Sequence, residues 1–221
     1  MDPNTIRHLI ISIPALVLAI VIHEVSHGYV ANKLGDPTAK LMGRLTLNPI
    51  KHIDPIGTLL MPVMLYYLSG GQFVFGYAKP VPINPQNFKD PRRDMAISSA
   101  AGPVTNILLA IISQIILAHF IIPVSTVLPQ GISFSILQPV AMMLGSSIGI
   151  NIILAVINLI PIPPLDGGRV LVGFLPYKQA NSYSRIEPYG FIIVLILFVT
   201  KIANILIYPV VAILYTLINL L

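Results

Sequence analysis

The chain has 221 residues, 55% of them hydrophobic and only 10% charged, and its mean hydropathy is +0.85. A water-soluble globular domain carries about 25% charged residues, so this composition excludes one and makes lipid the solvent. The formal charge of +5 comes with no nucleic-acid motif, and the basic residues lie between apolar runs, so it reports topology and not a nucleic-acid partner.

A spanning helix needs about 20 mostly apolar residues to cross roughly 30 Å of hydrocarbon. Apolar runs occupy residues 9 to 31, 56 to 68, 95 to 122, 136 to 162 and 189 to 221, with no internal repeat. The first run has no small-residue cleavage signature and carries HEVSH, so it is expected to be retained as a working span and not removed as a signal peptide. The second run is too short to cross and contains Pro62, which suits a re-entrant or interfacial segment.

Charge supports that topology. Lys33, Lys40, Arg44 and Lys51 precede the short run, and Lys79, Lys89, Arg92 and Arg93 follow it, so both flanks belong on the cytoplasmic side. The uncharged stretch from 123 to 135 is then an outside loop, and the fourth run returns inward to deliver Asp166 on the side where HEVSH ends. Between them, GYAKPVPINPQNFKDP is Pro-rich and is expected to be extended, offering a strand edge. The last 33 residues, with Lys201 and Pro209, suit either one long tilted helix or a pair of shorter ones. The expectation is a single membrane-embedded domain over residues 1–221. It is an all-α polytopic membrane protein of about 4–6 transmembrane helices, with a re-entrant or extended segment between the HEVSH helix and the next span.

The chemistry centres on HEVSH. His23 and His27 are four residues apart, so on a helix they stack one turn apart and can share a metal ion. Glu24 sits beside them as a carboxylate able to take a proton from water. An ionisable residue inside a span costs about 2.5–3.5 kcal/mol on insertion scales, and metal binding offsets that where plain packing does not. There is no Cys, so a zinc site must use His and carboxylate.

Candidates for the third ligand are His8, His52, Asp54, His119 and Asp166, together with the remaining loop carboxylates. Asp166 is the strongest, because Pro161, Pro163 and Pro164 break the helix before it and Gly167 and Gly168 permit an unwound turn, with an ordinary helix-end turn as the bland alternative. Asn158 could donate its amide to a developing oxyanion or hold the scissile strand, or simply bond between helices. Gly102 and Asn106 form a small-xxx-polar face whose default role is close helix packing. His52 and Asp54, beside prolines in a loop, are expected to be structural.

Taken together, HEVSHGYVANKLGDPTAKLMGRLTLNPIKHIDPIGTLL, FGYAKPVPINPQNFKDPRRDM, AAGPVTN and NLIPIPPLDGGRVL resemble the site-2 protease family of intramembrane zinc metalloproteases, in its compact prokaryotic branch without a PDZ or CBS domain. The resemblance covers approximately residues 18 to 175, with no core motif missing. It implies that His23, His27 and Asp166 coordinate one zinc ion per chain, that Glu24 activates water and that Asn158 positions the substrate or its oxyanion. It also implies a single-span membrane protein as substrate, a multi-pass place in the plasma membrane with the site towards the cytoplasm, and pairing of the 70–90 region with an unwound substrate. The rival readings are a metal or ion transporter and a non-catalytic zinc scaffold. Glu24→Gln separates the first, and a fourth protein ligand such as His52 would favour the second.

Overall fold

The computed structural model of the chain describes residues 3–68, 70–71 and 76–221, with side chains described for Arg7 and from residue 10 onward. The His8 side chain and residues 72–75 of the Pro-rich segment therefore lie outside the described residues. Among the described residues every regular element is helical.

Helix α1 (Pro3–Leu34) carries HEVSH in its last three turns. A single turn at Thr38–Leu41 and another at Pro49–His52 lead to the short apolar run. That run forms a π-helical turn, Pro55–Leu60, started by Asp54, whose carboxylate accepts from the Ile56 and Gly57 amides, followed by α2 (Met61–Leu68). It is too short to cross a bilayer, as expected of a re-entrant element. Residues 76–84 then form no regular element, and the Tyr77 and Lys79 amides donate to the Gly57 and His52 carbonyls.

Asp90 caps α3 (Pro91–Ile116) by accepting from the Arg93 amide, with Pro91 at the first helical position, where its missing N–H costs nothing. The helix continues through a π stretch, Leu117–Ile121, to Val127. The long loop expected at 123–135 does not form. Leu128 and Pro129 make the whole turn, and helix resumes at Gln130, passing through a π stretch at Ser133–Leu137 into α4 (Gln138–Asn158). The physical reason is that an uncharged, largely apolar segment in lipid must satisfy its backbone internally, and helix does so.

After the turn at residues 159–165 come α5 (Asp166–Phe174), α6 (Tyr177–Ser184), α7 (Glu187–Val199) and α8 (Ile202–Asn219). The last apolar run is thus a pair of helices, broken at Lys201, which adopts a left-handed φ of 61°. Among the described residues four helical stretches are long and apolar enough to cross a membrane: Ile10–Leu34, Pro91–Val127, Gln130–Asn158 and Ile202–Asn219. The pair α6 and α7, bent by 66°, makes a fifth if it counts as one span. The structure is an all-α polytopic membrane protein.

Helix α3 is the centre, packing on α1, α4 and α5, and α4 also packs on α8. Ala110, Ile148, Ile152, Val156, Ala203 and Ile207 fill the seam between α3, α4 and α8. Lipid is as apolar as these side chains, so burial alone does not fix helix register; close packing and interhelical hydrogen bonds do. Three rungs do this: Ser12 to Ser146 at 3.1 Å, Ser113 to Ser147 at 2.9 Å, and Asn106 to Asn151 at 2.7 Å. The two basic clusters meet at one end of the bundle, where Lys33, Lys89 and Arg93 line one cleft and Arg44 donates to the Lys79 carbonyl at 2.8 Å.

Candidate metal centre

Helical spacing brings the two HEVSH imidazoles together, their Nε2 atoms 3.0 Å apart. Both are buried, and each Nε2 lies 3.2 Å from Asp166 Oδ2. Asp166 is the first residue of α5, set there by the break at residues 159–165. Gly167 and Gly168 serve that placement differently from the expected unwound turn, since helix has already resumed. A Cβ on Gly167 would lie 2.3 Å from the Leu159 carbonyl oxygen, and one on Gly168 2.4 Å from the Pro163 nitrogen. The pair lets α5 start tight against the chain that precedes it.

The tautomers of both histidines follow from what faces their Nδ1 atoms. His27 Nδ1 lies 2.8 Å from the Ser98 carbonyl, which can only accept, so His27 Nδ1 donates. His23 Nδ1 lies 2.5 Å from Asn106 Oδ1. Asn106 Nδ2 in turn donates to the Ala19 carbonyl at 3.3 Å and to Asn151 Oδ1 at 2.7 Å, while Asn151 Nδ2 donates to the Ser147 carbonyl at 2.8 Å. Backbone carbonyls thus fix the direction of the whole relay, and His23 Nδ1 donates as well. In the neutral imidazoles this leaves both Nε2 lone pairs unprotonated, pointing at one another and at a carboxylate.

Three electron-rich atoms converging in a buried space repel each other unless a cation lies among them. Asp166 Oδ2 is a buried oxygen with no hydrogen-bond partner, as a metal ligand would be. His23, His27 and Asp166 are the one cluster of three metal-ligating side chains among the described residues, and two neutral imidazoles with one carboxylate suit zinc with an open fourth position. Gly102 of α3 makes room for it. A Cβ there would sit 2.4 Å from His27 Nε2 and 2.6 Å from His23 Cε1.

Glu24 is half-buried on the same helix, and its Oε2 accepts the Val81 backbone N–H at 2.8 Å. Asn158, the last residue of α4, donates its amide to the Leu154 carbonyl at 2.9 Å. His52 Nε2 donates to the Thr46 carbonyl and Asp54 caps its turn, and neither joins the cluster of His23, His27 and Asp166. His119 is exposed on the far π stretch of the α3 span. Sequence reasoning passed over Asn106 as packing and did not single out Asn151 or Ser98. The available signal was the cost of burying an amide in a span, since Asn106 is 0% and Asn151 1% exposed.

The model of peptidase family M50 matches residues 11–200. The chain belongs to peptidase family M50. It is similar to the provisionally named zinc metalloprotease YwhC of Bacillus subtilis (strain 168), 40% identical over 201 residues, which are 88% of this chain and 82% of that one. It is also similar to the provisionally named zinc metalloproteases Rip2 of Mycolicibacterium smegmatis and Mycobacterium tuberculosis (strain H37Rv). The first is 31% identical over 208 residues, 91% of this chain and 73% of the relative. The second is 28% identical over 189 residues, 85% of this chain and 66% of the relative. No solved structure matches. As a member of M50, the site-2 protease family, the chain is a membrane metalloprotease with zinc as its cofactor.

Proposed function

We propose that this M50 chain hydrolyses peptide bonds within or near transmembrane segments of single-span membrane proteins, in the plasma membrane and from a site towards the cytoplasm. The observation that carries this reading is the depth of the His23, His27 and Asp166 cluster. His27 is seven residues before the end of α1, hence about 10 Å inside the bundle at 1.5 Å per residue, below the end where the basic residues gather. Such residues favour the cytoplasmic face.

In this reading His23, His27 and Asp166 hold one zinc ion. When bound, the ion supplies Lewis acidity, polarising a carbonyl and acidifying water. Glu24 takes the proton of the attacking water and passes it to the leaving amine. The Val81 N–H holds Glu24 Oε2, which leaves Oε1 as the proton's receiver. Asn158 has an amide one acceptor away from service: exchanging the Leu154 carbonyl for a substrate oxygen gives it the positioning role. A helical substrate hides its carbonyls in internal bonds, so it must unwind before attack. No fourth side chain joins the cluster among the described residues, which supports a hydrolytic site over a closed structural one.

The test pairs zinc content with cleavage of a membrane-embedded substrate in proteoliposomes. Glu24→Gln is expected to keep about one zinc per chain and lose cleavage, and Asp166→Ala to lose both. Cleavage surviving in Glu24→Gln, or full zinc in Asp166→Ala, overturns the assignment.

A further inference from the structure

The turn at residues 159–165, which sets Asp166 at the start of α5, cannot fasten itself to the bundle. Pro161, Pro163 and Pro164 carry no N–H. The remaining N–H groups of the turn stay within the chain's own local course. Leu159 donates to the Ala155 carbonyl at 3.0 Å, Ile160 to Ile157 at 3.1 Å, Ile162 to Ile160 at 2.7 Å and Leu165 to Ile162 at 2.9 Å. The prolines stiffen the turn, but no backbone donor is left to tie it to another helix. Its place relative to α1, and so to His23 and His27, must be set by what reaches it from outside.

Two groups reach it, both from the bent pair of α6 and α7. The Tyr183 hydroxyl of α6 donates to the Pro161 carbonyl. Gly190 of α7 is buried with its backbone against the turn: a Cβ there would collide with the Pro163 carbonyl and lie 2.8 Å from Pro164 Cδ. Gly167 and Gly168 of α5 close on the turn just as tightly, so it is held between two helices at backbone contact. The 66° bend lets α6 bring a hydroxyl and α7 a bare backbone to the same few residues. The exposed pair of Arg169 and Glu187, 3.4 Å apart, adds little. The far end of α5 has its own anchor in Arg92, which donates to the Gly173 and Leu175 carbonyls. The near end, where Asp166 sits, takes its position from the turn.

We infer that Tyr183 and Gly190 are positioning residues for Asp166: the α6–α7 elbow holds the proline turn so that the carboxylate stands at the two imidazoles. This rests on the proposed ligand set of His23, His27 and Asp166 and adds two residues that act on the metal through the turn. Groups that orient a ligand in this way govern metal affinity about 10- to 100-fold. Linkage makes the effect reciprocal. If the held turn favours the metal, bound metal favours the held turn, and an ion at HEVSH tightens the elbow.

The test uses the full chain in detergent micelles with cobalt(II) in place of zinc, because the visible d–d band of cobalt reports ligand geometry without any cleavage. Asp166→Ala comes first. If it keeps the band and the affinity of the unmodified chain, the ligand reading fails before the elbow is tested. Tyr183→Phe removes only the hydroxyl, and is expected to shift the band and weaken cobalt binding about 10-fold. Gly190→Ala is expected to shift it further, with affinity lowered by up to about 100-fold; where it does not fold, Tyr183→Phe decides alone. Asp36→Asn alters hydrogen bonds that involve no residue of the turn, and as a destabilised control it is expected to leave band and affinity unchanged. In the unmodified chain, zinc is expected to slow amide hydrogen exchange across residues 181–190 by about 10-fold, and in Tyr183→Phe to slow it less. An unshifted band with unchanged affinity in either folded variant overturns the inference, as does exchange across residues 181–190 that ignores zinc. Equal losses in Asp36→Asn and Tyr183→Phe overturn it too, since the effect would then be one of stability alone.

Discussion

Replacing Asn106 by Leu gives the sharpest test of how the metal centre is built. Asn106 is 0% exposed and joins His23 Nδ1 at 2.5 Å to Asn151 Oδ1 at 2.7 Å. Leu has nearly the same volume, so packing is kept while an imidazole N–H and an amide oxygen are left buried without partners. Leaving such groups unpaired costs about 1–3 kcal/mol of stability. The larger effect falls on the metal: loss of the group that orients a ligating histidine lowers affinity about 10- to 100-fold. Zinc affinity is read by competition with a chelator, and stability by thermal unfolding of the metal-free protein. Asn106→Asp separates the two effects, because its carboxylate still accepts from His23 Nδ1 but cannot donate to Asn151. It is expected to keep zinc affinity within a few-fold of the unmodified chain, about tenfold or more above Asn106→Leu, while losing stability. Equal zinc affinity in Asn106→Leu and the unmodified chain would refute the relay.

Gly102→Ala puts a methyl 2.4 Å from His27 Nε2, so zinc content and cleavage are both expected to collapse, in a chain that still folds, as circular dichroism would show. Arg92→Met removes a guanidinium that donates to the Gly173 and Leu175 carbonyls at the end of α5. It is expected to lower thermal stability by about 1–3 kcal/mol with a smaller loss of zinc than Asp166→Ala. Asp36 lies beyond the membrane-spanning part of α1. Burial raises its pKa, but hydrogen bonds from Thr38, Asn87 and Asn84 outweigh burial and hold the carboxyl below its ordinary range. With a folded pKa below the unfolded one, its stabilisation is present above about pH 4 and is lost as pH falls through the folded value. Melting temperature should therefore drop on acidification below pH 4, and Asp36→Asn should be less stable at pH 7 with a flatter acid limb; an unchanged limb would exclude Asp36 as its cause.

Much of this protein is legible in one dimension because lipid leaves few choices. Where no water can satisfy a backbone, apolar runs of sufficient length become helices, and spans, the short re-entrant element and the basic end can all be read from residue order. The i, i+4 spacing of His23 and His27 is likewise local, fixed by helix geometry before any tertiary contact forms. Even here the local rule has limits. It reads 123–135 as a loop, because lack of charge marks an outside segment without saying whether that segment is helical.

What only the tertiary structure decides is which distant residues meet. Asp166 stands 139 residues after His27, and its place depends on three prolines and two glycines turning α5 back into the bundle, where sequence leaves several carboxylate and imidazole candidates open. Asn106 and Asn151 read in sequence as interhelical packing or go unremarked, since an amide in an apolar run carries no label for its partner. Their role appears once α1, α3 and α4 are side by side and the Ala19 and Ser147 carbonyls fix which atom donates. The bond between Val81 and Glu24 belongs to the same kind: proline spacing disfavours helix in this segment, but only the packed fold lays it against Glu24. Sequence determines the helices and the chemistry each carries, because those follow from neighbours along the chain. Structure decides which candidate ligands converge, because that follows from neighbours in space.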